Sequence, residues 1–276
     1  MGYTPGESGE KYTRVEATQQ RNPALQKWPY EISQSAFRDA WVLEGESLWT
    51  TVFEMHQKRM QIKNINIALP NLEKIFTATF RLANSKGFQA MSLRDLSRET
   101  NISMGGIYSY IGSKNELASV IEEVLRHYVD QVVVSLSELA LHPVHQLKAI
   151  IYGDLYMNDI LSPWYYFCFM EAKGLPRDQQ ERSIQLELKF ENMLVGVIQR
   201  GIKMGIFHCQ HPDLLASHAT GMVQQWYVKR WKFKRRQTQV QTYARFVFET
   251  LLQNLECRAE LIPQDEDRET LSGVSA

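Results

Sequence analysis

Cysteine is scarce in this chain: Cys168, Cys209 and Cys257 are an odd number with no C-x-x-C spacing. That excludes a disulfide framework and the familiar paired-cysteine zinc and redox sites. The sequence also lacks any apolar run of about 18 residues, the length a membrane-crossing helix needs. Its N-terminal segment is polar where a secretory signal would be apolar. These absences lead us to expect a reduced, cytoplasmic setting and no membrane partner. No internal repeat, Gly-rich phosphate loop or convincing strand pattern occurs. Nor does a Ser-His-Asp order or a carboxylate pair stand out, so we expect neither an enzyme nor a cofactor. His208, Cys209 and His211, with His218 further on, are ligand-type residues whose spacing fits no familiar metal motif, and no metal is expected.

Net charge is absent too, but only on average. Lysine and arginine total 31 against 31 acidic residues. Between residues 57 and 116, however, nine basic side chains (Lys58, Arg59, Lys63, Lys74, Arg81, Lys86, Arg94, Arg98 and Lys114) face only four acidic ones, a local net of +5. A polyanion would be drawn to that stretch.

What is present at that place is a motif. Ser92 followed by Asp95, and Ser113 followed by Glu116, are capping-box patterns that start helices. Between them Leu93, Leu96, Ile102 and Ile107 form a small apolar seam, while a short segment presents Ser103, Gly105, Tyr108, Ser109 and Tyr110. Helix, tight turn and second short helix make a helix-turn-helix, whose second helix enters the DNA major groove. DNA binding is therefore the expected activity.

The periodicity elsewhere is helical throughout, so an all-α fold is expected, with an N-terminal helix-turn-helix domain followed by a helical ligand-binding and dimerisation domain. Residues 1–66 read as an extension, polar and disordered over 1–31 and helical over 33–65 with Gly45 as a break. The DNA-binding domain is assigned to 67–118, the effector and dimerisation domain to 119–258, and an acidic tail to 259–276. Leu69-Pro70-Asn71 is expected to end one helix and start another, running from 72 to 86 with Gly87 at its C-terminus. Later helices are expected at 117–141, 145–161, over the aromatic run Trp164–Met170, and at 178–204, 213–232 and 237–257.

Over residues 72–120 the sequence resembles the TetR/AcrR family of transcriptional regulators. The resemblance rests on IFTATFRLA from Ile75, KGF from Lys86, SLRDLS from Ser92 and IYSYIGSKNEL from Ile107, with a weaker likeness in QRGIKMGIF from Gln199. It implies a homodimer, usually a repressor, that releases a double-stranded DNA operator when a small molecule binds the C-terminal domain. The chain departs from the family pattern at Ala83, Met91, Met104 and Gly106, and at Asn101, which replaces the turn glycine but tolerates φ > 0.

On that resemblance Tyr108, Tyr110 and Lys114 match positions that touch phosphates, and a phenol or an ammonium suits that role. Ser92 can cap its helix and reach a phosphate, and Arg94, Ser103, Met104 and Ser109 are left for bases. Gly105 and Gly106 each oppose a helix by about 1 kcal/mol. Their bare backbone either lets DNA approach closely or marks a frayed first turn. Lys58, Arg59 and Lys63 are either a basic arm or a solvated helix face. Tyr152, Tyr156, Trp164, Phe167, Met170 and Met193, with Met157 and Val197 beside them, are expected around a pocket for a hydrophobic or aromatic effector, of which an acyl chain is one form. The basic, aromatic segment 229–236 reads as a solvated turn. A rival reading is a helical adaptor that keeps the fold but binds DNA without sequence preference.

Overall fold

The computed structural model describes residues 28–137 and 141–257. The expectations for residues 1–27 and for the acidic tail from 259 fall outside them. The fold is all-α, and no strand occurs among the described residues. The chain divides into two compact units, one ending at Val120 and the other starting at Ile121.

In the first unit, α1 (Gln34–Ala40) starts where the Ser33 hydroxyl accepts from the Ala36 amide at 3.1 Å. It buries Phe37 fully, edge-on to Trp28 with ring centroids 5.1 Å apart. Helix α2 (Gly45–His56) sets Leu48, Trp49, Val52 and Phe53 on one buried stripe. Trp49 reaches Phe76 of α3 at a centroid distance of 5.9 Å. Burying side chains of this kind is worth about 1.5–3 kcal/mol each, so the extension is bound into the unit's core.

Helix α3 (Ile65–Lys86) passes through Pro70 without a break, which corrects the expected stop at Leu69. Pro70 sits only in the second turn, so it forfeits one bond near the helix start rather than in the interior. Two features hold that turn: the Asn64 side chain accepts from the Asn66 amide at 3.0 Å, and Ala68 and Leu69 are buried. Gly87 ends the helix at φ 82°, as expected of a C-terminal glycine. Then come α4 (Leu93–Thr100), α5 (Met104–Tyr108) and α6 (Lys114–Tyr128). Helix α6 does not continue to Leu141 as a regular helix. It widens into π-helical turns over Val129–Val134, where three successive β-branched valines crowd the regular turn, and is α-helical again over Ser135–Ser137, where the described segment stops.

The second unit is built around α7 (Pro143–Ile160), which Pro143 starts and which is buried on nearly every side. It packs against α9 (Arg177–Lys203), α10 (Pro212–Val228) and α12 (Val240–Asn254). Pro163 falls in the first turn of α8 (Ser162–Glu171), bearing out the expected break before the aromatic run. The segment 229–236 is largely helical rather than a solvated turn: α11 (Arg230–Arg235) buries Phe233. The Phe233 ring lies 4.9 Å from that of Trp226 and 4.6 Å from that of Tyr243, and this aromatic contact orders the basic segment.

Candidate functional site

The helix-turn-helix is assembled from local rules. At the start of α4 the Ser92 hydroxyl accepts from the Asp95 amide at 3.2 Å, and Asp95 Oδ2 accepts from the Ser92 amide at 2.8 Å, a complete capping box. The Lys86 ammonium, 2.8 Å from Asp95, and the Ser92 bonds hold that carboxyl well below the usual carboxylate range. Asn101 ends α4 in the left-handed conformation, φ 56°, as its side chain permits. The Ser97 hydroxyl then donates to the Ile102 carbonyl at 2.6 Å, fixing the turn.

Helix α5, the second helix of the helix-turn-helix, is five residues long. Ser103 caps it, accepting from the Gly106 amide at 3.1 Å, and Ile107 is fully buried beneath it. Its outer face shows Ser103, Gly105 and Tyr108, the last 49% exposed, with Met104, Gly106 and Ser109 partly exposed beside them. Ser92 and Arg94 are exposed at the start of α4.

Two expected phosphate contacts are engaged inside the domain. Tyr110 is 4% exposed; its hydroxyl accepts from Asn71 Nδ2 at 3.0 Å and donates toward the Ile67 carbonyl at 3.4 Å. Placed two residues after Tyr108, it turns to the opposite side of the chain, so it anchors the recognition helix to α3 instead of facing outward. The Lys114 ammonium donates to the carbonyls of Gln89 at 2.8 Å, Phe88 at 3.2 Å and Met91 at 3.3 Å. It ties the loop before α4 in place while keeping its positive charge beside Ser92.

The glycine pair also separates. A Cβ on Gly106 would lie 2.7 Å from Ile102 Cγ2, so crowding within the domain explains that glycine. A Cβ on Gly105 would meet nothing within 4 Å, so only Gly105 offers an open backbone to a partner. Sequence reading missed Asn71, which holds Tyr110, and Gln61, whose amide donates to the Ser109 carbonyl at 2.9 Å. That bond sets the loop carrying the exposed Lys58, Arg59 and Lys63 against the end of the recognition helix.

Within the second unit lies a cavity of about 640 Å³. Of the expected lining residues only Met170 borders it. Tyr152, Tyr156, Trp164 and Phe167 are buried in the core instead, with Tyr152 packed 5.9 Å from Tyr156 and 6.3 Å from Phe248 between ring centroids. Met193 is half-buried on α9 and does not border the cavity either. Helix α8 divides the aromatics by face: Trp164 and Phe167 turn into the core, while Tyr165, Cys168 and Phe169 turn to the cavity. Leu125, Val129, Phe190, Val223 and Tyr227 complete an apolar wall.

The missed polar members include Asp154 and Asn158, one turn apart on α7, with Thr220, Gln224 and others on the neighbouring helices. The signal of the α7 pair was a carboxylate and an amide at i, i+4 in an otherwise apolar helix. Burial pushes the Asp154 carboxyl up to about 7, against the pull of hydrogen bonds from Tyr165 and Asn158. Burial likewise raises the Cys168 thiol, which keeps it protonated and unreactive.

Comparison with known proteins agrees with this geometry. Residues 75–121 match the profile of bacterial regulatory proteins of the tetR family. The HTH-type transcriptional regulator HbdR of Aromatoleum sp. (strain CIB) is 23% identical over 161 residues, covering 58% of this chain and 70% of that protein. The fold is shared with a tetR-family regulatory protein from Rhodococcus RHA1 (TM-score 0.60, 16% identity, 67% of this chain and 97% of that one). It is also shared with AibR, solved in complex with isovaleryl coenzyme A and operator DNA (TM-score 0.56, 16% identity, 67% and 98%). The chain thus resembles TetR-family regulators in sequence over its helix-turn-helix and in fold over about two thirds of its length.

Two predictions follow from the packing. Gly106→Ala is expected to destabilise the first unit by about 1–3 kcal/mol through the Ile102 contact, whereas Gly105→Ala leaves stability equal or up to about 1 kcal/mol higher; urea unfolding of both variants checks this. For Asp154 the folded-state pKa of about 7 lies above the ordinary 3.8, so the native state binds the extra proton between them. Its contribution is therefore fully present below about pH 4 and is lost as pH rises through 7. Unfolding midpoints measured from pH 5 to 8 should show a decline in the wild type that Asp154→Asn lacks, since Asn does not titrate; its single oxygen can keep the Tyr165 bond at the cost of the side-chain bond from Asn158, which lowers the midpoint without adding a pH dependence.

Proposed function

We propose that this protein is a homodimeric, ligand-responsive repressor that grips a specific operator through α5 and releases it when a hydrophobic or aromatic small molecule fills the cavity. The observation that carries the DNA half is the exposed face of α5, with Tyr108 outermost, in a stretch of net charge +5. Ser92 and Arg94 at one helix start and Ser103 at the next put hydroxyls, backbone amides and a cation where phosphates bind. Met104, Gly105 and Ser109 remain on the base-reading side.

The ligand half is supported by the apolar cavity, whose volume lies within the range of small-molecule sites. AibR, which shares the fold, is named for a complex with an acyl-coenzyme A and operator DNA, and an acyl or aromatic effector suits the wall formed by Phe169, Phe190 and Tyr227. The homodimer reading is supported by large apolar side chains left on the surface of the last helices: Leu214 is 63%, Trp231 60% and Phe246 59% exposed. Exposed apolar side chains of this size suit an association surface where they lie together.

Selection from a random duplex library at near-physiological salt, followed by sequencing, tests the reading. A palindromic consensus is expected, because a two-fold dimer reads two half-sites, and acyl or aromatic compounds should then release the selected duplex. Enrichment of no sequence, with only salt-sensitive binding, overturns it and favours the adaptor that keeps the fold.

A further inference from the structure

The wall of the cavity carries a pair of polar groups that a purely apolar effector would leave unused. Asn158 is 0% and Asp154 5% exposed, and both border the cavity from within the core. Asn158 Nδ2 donates to the main-chain oxygen of Asp154 at 2.7 Å and to its Oδ2 at 2.8 Å. Both partners are acceptors, which fixes the orientation of the amide: nitrogen toward Asp154, oxygen away from it. Asp154 Oδ1 accepts from the Tyr165 hydroxyl at 3.2 Å, which commits that donor as well. Thr220, also on the wall, spends its hydroxyl on the Ala216 carbonyl of its own helix at 3.0 Å.

One strong acceptor remains. Asn158 Oδ1 takes no hydrogen bond from the described residues. A buried acceptor in that position loses free energy until a donor reaches it. None of the donors on the wall, Gln180, Ser183, Gln224 and Tyr227 among them, bonds to it, while the exposed lining residues, Phe169, Met170, Lys173, Ile184 and Glu187, lie toward solvent. Asn158 Oδ1 is itself closed off in this structure, so a ligand that enters between them with an O–H or amide N–H at its leading end would satisfy it through a small shift of the wall. A leading methyl group would not. A leading carboxylate would set acceptor against acceptor at Asn158 and like charge against Asp154.

We infer that the cavity, on the ligand-binding reading above, selects an apolar or aromatic compound whose buried end bears a hydroxyl or amide N–H, and disfavours one whose buried end is a carboxylate. The effector class is thereby narrower than "hydrophobic": it is an apolar body with a hydrogen-bond donor at its inner end.

Calorimetric titration of the full chain with phenylbutanol, butylbenzene and phenylbutanoate isolates this choice, because the three share one carbon skeleton. Phenylbutanol should bind about tenfold more tightly than butylbenzene, the effect expected of one recovered buried hydrogen bond. Phenylbutanoate should bind more weakly than phenylbutanol. Asn158→Met should bring the alcohol-to-hydrocarbon ratio to about one while butylbenzene still binds. Should that variant fail to fold, the wild-type ratio decides alone. Equal binding of alcohol and hydrocarbon, or tightest binding of the carboxylate, overturns the inference and leaves the cavity standing as a ligand site. Absence of binding by all three to the folded chain overturns the ligand-cavity reading itself, and the inference with it.

Discussion

A five-residue helix containing two glycines cannot hold itself together, and the exposed face of α5, which we assign to DNA, depends on its neighbours holding it instead. Helix nucleation is unfavourable at such lengths, and each glycine adds about 1 kcal/mol of opposition. The compensation comes from several directions. Asn101 turns the chain through the left-handed region, and the Ser97 hydroxyl fixes the next carbonyl. Ser103 caps the first turn and Ile107 is sealed beneath it. Beyond the helix, the Tyr110 hydroxyl is bonded to Asn71 of α3, and the Gln61 amide binds the Ser109 carbonyl. Each bond is worth only about 1 kcal/mol net, yet together they set the direction in which Tyr108 and Gly105 point. The extension before α3 belongs to this clamp: α1 and α2 pack on the same core and lead into the loop that carries Gln61.

The second unit is governed by the opposite problem, a helix with too many buried sides. Helix α7 is covered almost all round, which makes each polar residue on it expensive unless bonded. Asp154 and Asn158 meet part of that cost by bonding to each other and, for Asp154, to Tyr165, and they do so at a cavity wall, with Asn158 Oδ1 left over. Burial keeps the Asp154 carboxyl half-protonated near neutrality, and a ligand that changes the polarity around it would change its charge. The two units thus rest on groups of different kinds: hydrogen-bonded scaffolding around the helix-turn-helix, and a buried polar pair at the cavity wall.

What could be read from the sequence was local chemistry. The Ser92–Asp95 capping box, the left-handed Asn101, Gly87 at its helix end and the break at Pro163 all follow from one residue and its immediate neighbours. Pro70 misled because the turn around it is held by the Asn64 side chain and by buried Ala68 and Leu69. Tyr108 and Tyr110 look alike in sequence, and only the packing of α3 against the recognition helix decides which faces out. Tyr152, Tyr156, Trp164 and Phe167 were expected in the pocket and fill the core, since apolar periodicity does not distinguish a cavity wall from a packed interior. The residues that do mark the cavity, Asp154 and Asn158, were visible as a polar pair on an apolar helix, a signal of burial rather than of any particular ligand.

The dependence of the recognition helix on its neighbours is open to direct measurement by amide hydrogen exchange of the wild type and of Tyr110→Phe, which removes only the hydroxyl bonded to Asn71. Exchange over 104–110 should speed several-fold in the variant while α7 to α12 exchange as before, the local loosening expected of one lost clamp. Unchanged protection over 104–110 would mean that the helix stands without its clamp, and would contradict the account.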